Sequence, residues 1–164
     1  MGDFLAYTVL GIALGSAYAI AATGLVVTYS TSGIFNFAHG AIGMLSGLFY
    51  WQLRVAWDWP APLAILVTVG VFAPLVGATL DLVIMRGLQG TSEVTRLVIP
   101  VAVLLALNGL ATWIWFRNPG TSHNPVEFFG ANKVRIFGQA VLWHELIGMG
   151  LAALVALALW LFLY

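Results

Sequence analysis

Thr28 to Leu48 reads TYSTSGIFNFAHGAIGMLSGL. It separates two long apolar runs. Thr28, Ser30, Thr31, Ser32, Asn36 and His39 crowd into its first dozen residues, with Gly33 and Gly40 as punctuation. It contains no Lys, Arg, Asp or Glu. Glycine permits backbone conformations that other residues avoid. Ser, Thr and Asn offer local hydrogen bonds to a broken helix. At membrane depth, irregular backbone is tolerated only where protein or a water-filled cavity satisfies it. The stretch is therefore either a tight interfacial turn or the lining of a path, and the remaining sequence is its scaffold.

The scaffold is built for lipid. Of 164 residues, 62% are hydrophobic and only 7% charged, against about 25% charged in a soluble domain. Mean hydropathy is +1.00. Such a chain cannot cover itself with polar surface, so a bilayer must be its main solvent. Formal net charge is zero, which gives no sign of a nucleic-acid partner. The absence of cysteine excludes disulfides and thiol chemistry. Asp3, with no basic residue before the first apolar run, is the wrong flank for a cleaved signal peptide.

Five apolar runs follow in order. Phe4 to Tyr29 is long enough to span a bilayer. Its Gly11 and Gly15, continued by Ala19 and Ala22, form a small-residue face for close helix packing or for the wall of a path. The second run begins at Phe37 and ends between Trp51 and Trp57, with a packing pair at Gly43 and Gly47. The third is Leu63 to Met85, where Pro74 predicts a kink. Asp81 either pairs with Arg86 at the interface or marks a proton or ion site. Gly87 to Arg96 reads as a polar loop. The fourth run is Leu97 to Phe116, with Pro100 in its first turn. Its Asn108 needs a partner on another helix or a substrate. Arg117 to Gln139 is the longest extramembrane segment, opening with the turn residues Asn118, Pro119 and Gly120. The alternation Lys133, Val134, Arg135, Ile136 predicts a short strand within it. The fifth run, Ala140 to Tyr164, lacks a polar flank, and a truncated gene or fragment is the expectation.

The fold class expected is all-α: a polytopic transmembrane bundle of about five spanning helices, broken by the Gly/Ser/Asn/His stretch between the first two. Alternating crossings place Trp51, Trp57, Trp59, Trp113, Trp115 and Trp143 on one membrane face, as an aromatic belt. Arg54, Arg117, Lys133 and Arg135 share that face, against Arg86 and Arg96 on the other. By charge alone the tryptophan face would be cytoplasmic.

Chemical motifs are few. There is no phosphate-cradling Gly-rich loop. His39, His123 and His144 lack metal-ligand spacing. His144 with Glu145 reads as interfacial and His123 as a loop residue. His39, beside Asn36, either holds the turn or touches a solute. No catalytic residue, metal or cofactor is expected. A membrane enzyme using His39 would lack a partner Asp, Glu or Ser.

Several strings carry a resemblance. They are Gly15-Ser16-Ala17-Tyr18-Ala19, Gly24-Leu25, Tyr29, Gly33-Ile34-Phe35-Asn36-Phe37-Ala38-His39-Gly40 and Met44-Leu45. More loosely, Arg86-Gly87-Leu88-Gln89-Gly90, the Leu97 to Asn108 stretch and Ala158-Leu159-Trp160-Leu161-Phe162 join them. Together they resemble the permease subunit of branched-chain amino-acid ABC importers, over the N-terminal half of that family's length. Residues 1–164 would then be one permease domain, with the ATPase-coupling loop beginning just after Tyr164 and absent. The resemblance implies a multi-pass protein of the bacterial inner membrane. It implies a second permease subunit, cytoplasmic ATPase subunits and a periplasmic solute-binding protein as partners. It turns the C-terminal end to the cytoplasm and the tryptophan face to the periplasm, against the charge count. Urea and short-amide permeases share the pattern, and an ATPase-independent channel or secondary carrier is the other reading. The path residues expected are Gly33, Asn36, His39 and Gly40. Gly11, Gly15, Gly43, Gly47 and Asn108 are expected to pack helices.

Overall fold

Gly33 is where the first helix stops. The computed structural model describes residues 2–117, 133–136 and 139–163, and its first helix runs Gly2–Ser32. The first apolar run, expected to end at Tyr29, is thus helical for three residues more. The hydroxyls that favour a break bond back to their own helix instead. Thr31 Oγ1 donates to the Val27 carbonyl at 3.0 Å, and Ser32 Oγ to the Thr28 carbonyl at 2.7 Å. Side chains that satisfy themselves this way leave the helical ladder intact. Gly33 then takes a left-handed φ of 69°, and its N–H donates to the Tyr29 carbonyl at 2.8 Å. That is a glycine helix stop closed by one backbone bond.

The second helix is His39–Trp51, prolonged by a π-helical turn at Gln52–Ala56. It starts two residues later than the sequence pattern implied. It ends where Asp58 adopts φ 52°. Arg54 Nη1 donates to the Trp59 carbonyl at 3.3 Å and lies 3.7 Å from Asp58 Oδ1, strapping the exit.

The third helix spans Ala61–Leu88, 28 residues. It is not uniform. π turns at Thr68–Phe72 and Asp81–Met85 interrupt it, and a 3-10 turn closes it at Arg86–Leu88. Pro74 sits one residue beyond the start of the α segment Ala73–Leu80, just after the first π turn. Proline has no N–H to give, and a π turn is one way a helix absorbs the lost bond.

The fourth helix is Glu93–Trp115. It begins four residues before the apolar run does, because Ser92 caps it: Ser92 Oγ accepts from the Thr95 N–H at 3.3 Å. Such a cap satisfies one orphan donor of the first turn. Pro100 therefore lies inside the helix, past its first turn, and is buried. The Asn108 amide donates to the Leu104 carbonyl of the same helix at 2.9 Å.

The strand expected at residues 133–136 is present, and it has a partner. β1 (Lys133–Ile136) pairs antiparallel with β2 (Gln139–Leu142), Lys133 opposite Leu142 and Ile136 opposite Gln139. The last helix consequently starts at Trp143 rather than Ala140 and runs to Leu163. Glu145 reaches back, its Oε2 accepting from the Leu142 N–H at 2.9 Å, one half of a capping box. The turn expected at Asn118, Pro119 and Gly120, and His123, lie outside the described residues.

Four helices among the described residues are long and apolar enough to cross a membrane: Tyr7–Ser32, Ala61–Leu88, Glu93–Trp115 and Trp143–Leu161. The helix beginning at His39 completes the five helical segments of an all-α, multi-pass membrane protein. Outward-facing Leu14, Tyr18, Leu105 and Leu154 are well exposed, as a lipid-solvated surface requires.

By contacts the chain divides into two units, residues 1–26 with 127–164, and residues 27–126. In the first unit Ala13 and Ser16 are buried. A β-carbon on Gly148 would stand 3.6 Å from Ser16 Oγ. Ser16 donates to the Ala13 carbonyl at 2.6 Å, so its hydroxyl is satisfied. In the second unit, the helix from His39 packs against Glu93–Trp115, Ala73–Leu80 and Thr68–Phe72. Tyr50, Leu53 and Ala64 form one core cluster. Phe49 and Phe72 stack with centroids 4.1 Å apart. Ile34, Met85 and Leu88 form the other cluster.

Open space surrounds the small-residue pairs among the described residues. A β-carbon on Gly11, Gly15, Gly43 or Gly47 would meet nothing within 4 Å among the described residues. At 3.6 residues per turn, Gly11 and Gly15 lie on the opposite face from Ala13 and Ser16. The buried face of the first helix is thus its Ala/Ser face.

Candidate functional site

Gly33 to Ala38 is the whole of the break. Within it, Asn36 organises the backbone. Its Oδ1 accepts from the Ala38 N–H at 3.1 Å, and its carbonyl accepts from the His39 N–H at 3.0 Å. An Asn side chain bonding two residues ahead mimics a backbone turn and launches the next helix. Ala38 is the residue before that helix and supplies no side-chain cap, so Asn36 does the local work. Ser32 assists, with its Oγ accepting from the Ile34 N–H at 3.2 Å.

The expected site residues do not all share this turn. Gly33 and Asn36 lie in it. His39 and Gly40 are the first two residues of the following helix. Gly40 has no left-handed φ, so the backbone shape of the break needs glycine at 33 and not at 40. The His39 ring is half-buried, and among the described residues no side-chain hydrogen bond engages it.

The turn packs against the end of the third helix. Ile34 is buried against Met85 and Leu88, at the end of the third helix. The charged residues Asp81, Arg86, Glu93 and Arg96 belong to that end of the unit. Tyr29, Phe35 and Phe37 make an aromatic run on the turn's outer side, with centroids 4.9 Å and 5.7 Å apart in sequence order. All three are exposed.

A cleft of about 270 Å³ opens here. Tyr29, Gly33, Ile34 and Phe35 line it from the helix stop and turn, and Glu93, Arg96 and Leu97 from the start of the fourth helix. Glu93 and Arg96, loop charges by the sequence pattern, belong to the fourth helix. The signal that could have placed them is Ser92-Glu93 directly before an apolar run, a helix-start signature. Arg96 Nε is buried without a hydrogen-bond acceptor. His144 and Glu145 lie in the first turn of the last helix, with Glu145 engaged as its cap. Among the described residues no three His, Asp or Glu side chains converge as metal ligands do.

The break is a polar turn between a membrane-length apolar helix and a shorter one, with a small cleft at its end. No curated protein and no solved structure matches the chain. Residues 7–164, nearly its whole length, match one family, described as the branched-chain amino acid transport system permease component. The chain is a member of that permease family.

Proposed function

We propose that this chain forms part of the membrane path of an ABC importer for branched-chain amino acids in a bacterial inner membrane. The observation that carries the reading is the family match, which runs unbroken from the first membrane-length helix to the last. ATP hydrolysis belongs to separate cytoplasmic subunits, a second permease completes the path, and a periplasmic binding protein delivers the solute. The end bearing the 33–38 turn and the 89–92 loop faces the cytoplasm in this reading.

The mechanism is alternating access. Hydrolysis elsewhere biases two packings of the bundle, and the solute sees one opening or the other. Two π turns and Pro74 give the third helix points at which its hydrogen-bond register already departs from regularity, and such turns recur at functional sites. Gly33, Asn36 and His39 shape the path's end through the turn and the helix start that follows it.

The test is uptake of radiolabelled leucine in cells lacking their own high-affinity system, with the gene and its neighbouring transport genes expressed together. Uptake should require an ATPase competent in hydrolysis. Uptake that persists with a hydrolysis-dead ATPase would make the protein a channel or secondary carrier. Uptake of urea or short amides without leucine would move the substrate class.

A further inference from the structure

The cleft at the helix stop holds two opposite charges that leave each other alone. Glu93 and Arg96 are three residues apart on one helix, a spacing at which such pairs ordinarily meet. Neither side chain carries an ion pair or hydrogen bond among the described residues. Pairing is available in this unit, since Asp81 and Arg86 achieve it at 3.1 Å. Arg96 nevertheless keeps a buried Nε with no acceptor. A buried donor left without a partner calls for an explanation.

The rest of the lining is apolar and aromatic: Tyr29, Ile34, Phe35 and Leu97, with Gly33 contributing no side chain. The volume, about 270 Å³, is near the lower end of small-molecule pockets, roughly 300 Å³. An anion site would not place a carboxylate beside the guanidinium. A cation site would not place the guanidinium there. A ligand bearing both charges and an apolar remainder satisfies every wall.

We propose that this cleft recognises a free α-amino acid with an apolar side chain, its carboxylate held by Arg96 and its ammonium by Glu93. The inference rests on the transport reading and deepens it, by naming two residues that read the solute's charges. Tyr29 and Phe35 receive the side chain. A guanidinium binds a carboxylate by paired, charge-assisted hydrogen bonds, and the carboxylate of Glu93 supplies the matching acceptors for an ammonium. A site that reads both charges binds an analogue lacking either less tightly, because one charge-assisted hydrogen bond is then lost.

A diazirine-bearing leucine analogue tests this on the membrane complex without its binding protein, with the label read on this chain's own peptides. The label should fall at Tyr29, Phe35 or Leu97. Leucine should compete at least about tenfold better than leucinamide or 4-methylpentanoate, as the loss of one charged hydrogen bond implies. Arg96→Gln should abolish discrimination against leucinamide alone. Glu93→Gln should abolish discrimination against 4-methylpentanoate alone. Arg86→Gln should change neither. Label outside the cleft, or full discrimination in both cleft variants, overturns the site. Should Arg96→Gln fail to accumulate, the exposed Glu93→Gln decides by itself. Leucine uptake by the unaltered importer is measured in parallel. Its presence with unaltered discrimination sinks the site alone, and its absence sinks the transport reading and this ligand with it.

Discussion

Arg86 Nε stands 3.1 Å from Asp81 Oδ2, and the two residues are five apart in sequence rather than three or four. The π turn at Asp81–Met85 makes this possible, since it carries the Arg86 N–H to the Asp81 carbonyl. An α-helix would bring residues 81 and 85 together instead. The pair sets a positive partner beside Asp81 at the end of an apolar helix.

That pairing yields the first prediction. Both side chains are more than half exposed, and exposed pairs contribute about 0–1 kcal/mol. Asp81→Asn should therefore keep leucine uptake within about fivefold of wild type at matched abundance. Complete loss of uptake would point to a proton or ion site at Asp81.

The second prediction concerns sidedness. Ala56 and Gln89 flank opposite ends of the third helix and are exposed. The chain has no cysteine, so Ala56→Cys and Gln89→Cys each give one thiol. In intact cells an impermeant thiol reagent should label position 56 and spare position 89. The reverse pattern would restore the orientation suggested by counting basic residues.

Much of this architecture was legible because membrane-length apolar runs have few alternatives in lipid. Pro74 announced an irregular third helix, and the Lys133–Ile136 alternation announced a strand. Other features depended on competition between bonds of similar strength. Ser30, Thr31 and Ser32 suit a break or a back-bonded helix equally well, and the structure chooses the helix. Asn108 could seek a neighbour but reaches its own Leu104 carbonyl first. β2 was hidden because Gln139–Leu142 is continuous with the apolar run that follows. Glu93 and Arg96 were obscured by position: charges next to a loop read as loop charges until Ser92 is recognised as a cap.

The third prediction separates packing within the chain from packing with a partner. Gly148 approaches Ser16, whereas Gly15 has open space around it. Gly148→Leu should lower the stability of this chain on its own, by about 1–3 kcal/mol as overpacking does. Gly15→Leu should leave the isolated chain unchanged and weaken co-purification with the second permease, because small faces admit close helix approach. Equal co-purification of Gly15→Leu and wild type would show that the Gly11/Gly15 face meets only lipid.

The last prediction concerns the turn itself. Asn36 bonds the Ala38 N–H and so fixes the start of the helix that carries His39. Asn36→Ala removes that acceptor and should cost about 0.5–2 kcal/mol, as the loss of a helix-start side chain does. Asn36→Asp keeps an acceptor oxygen in place and should retain most uptake. His39 has a different role in this turn. Its backbone N–H is held by Asn36, while its ring is half-buried with no hydrogen bond among the described residues. We expect the ring to act through polarity at the end of the path, without proton transfer. His39→Gln keeps hydrogen-bonding capacity and cannot titrate, whereas His39→Leu removes both. Uptake at matched membrane abundance should largely survive Gln. It should fall by roughly tenfold with Leu, the change that losing a hydrogen bond worth about 1–1.5 kcal/mol to the transporting state produces. If Gln is as inactive as Leu, proton exchange by the ring becomes the better account. If both variants transport normally, His39 has no part in the path, and the turn serves it through Gly33 and Asn36 alone.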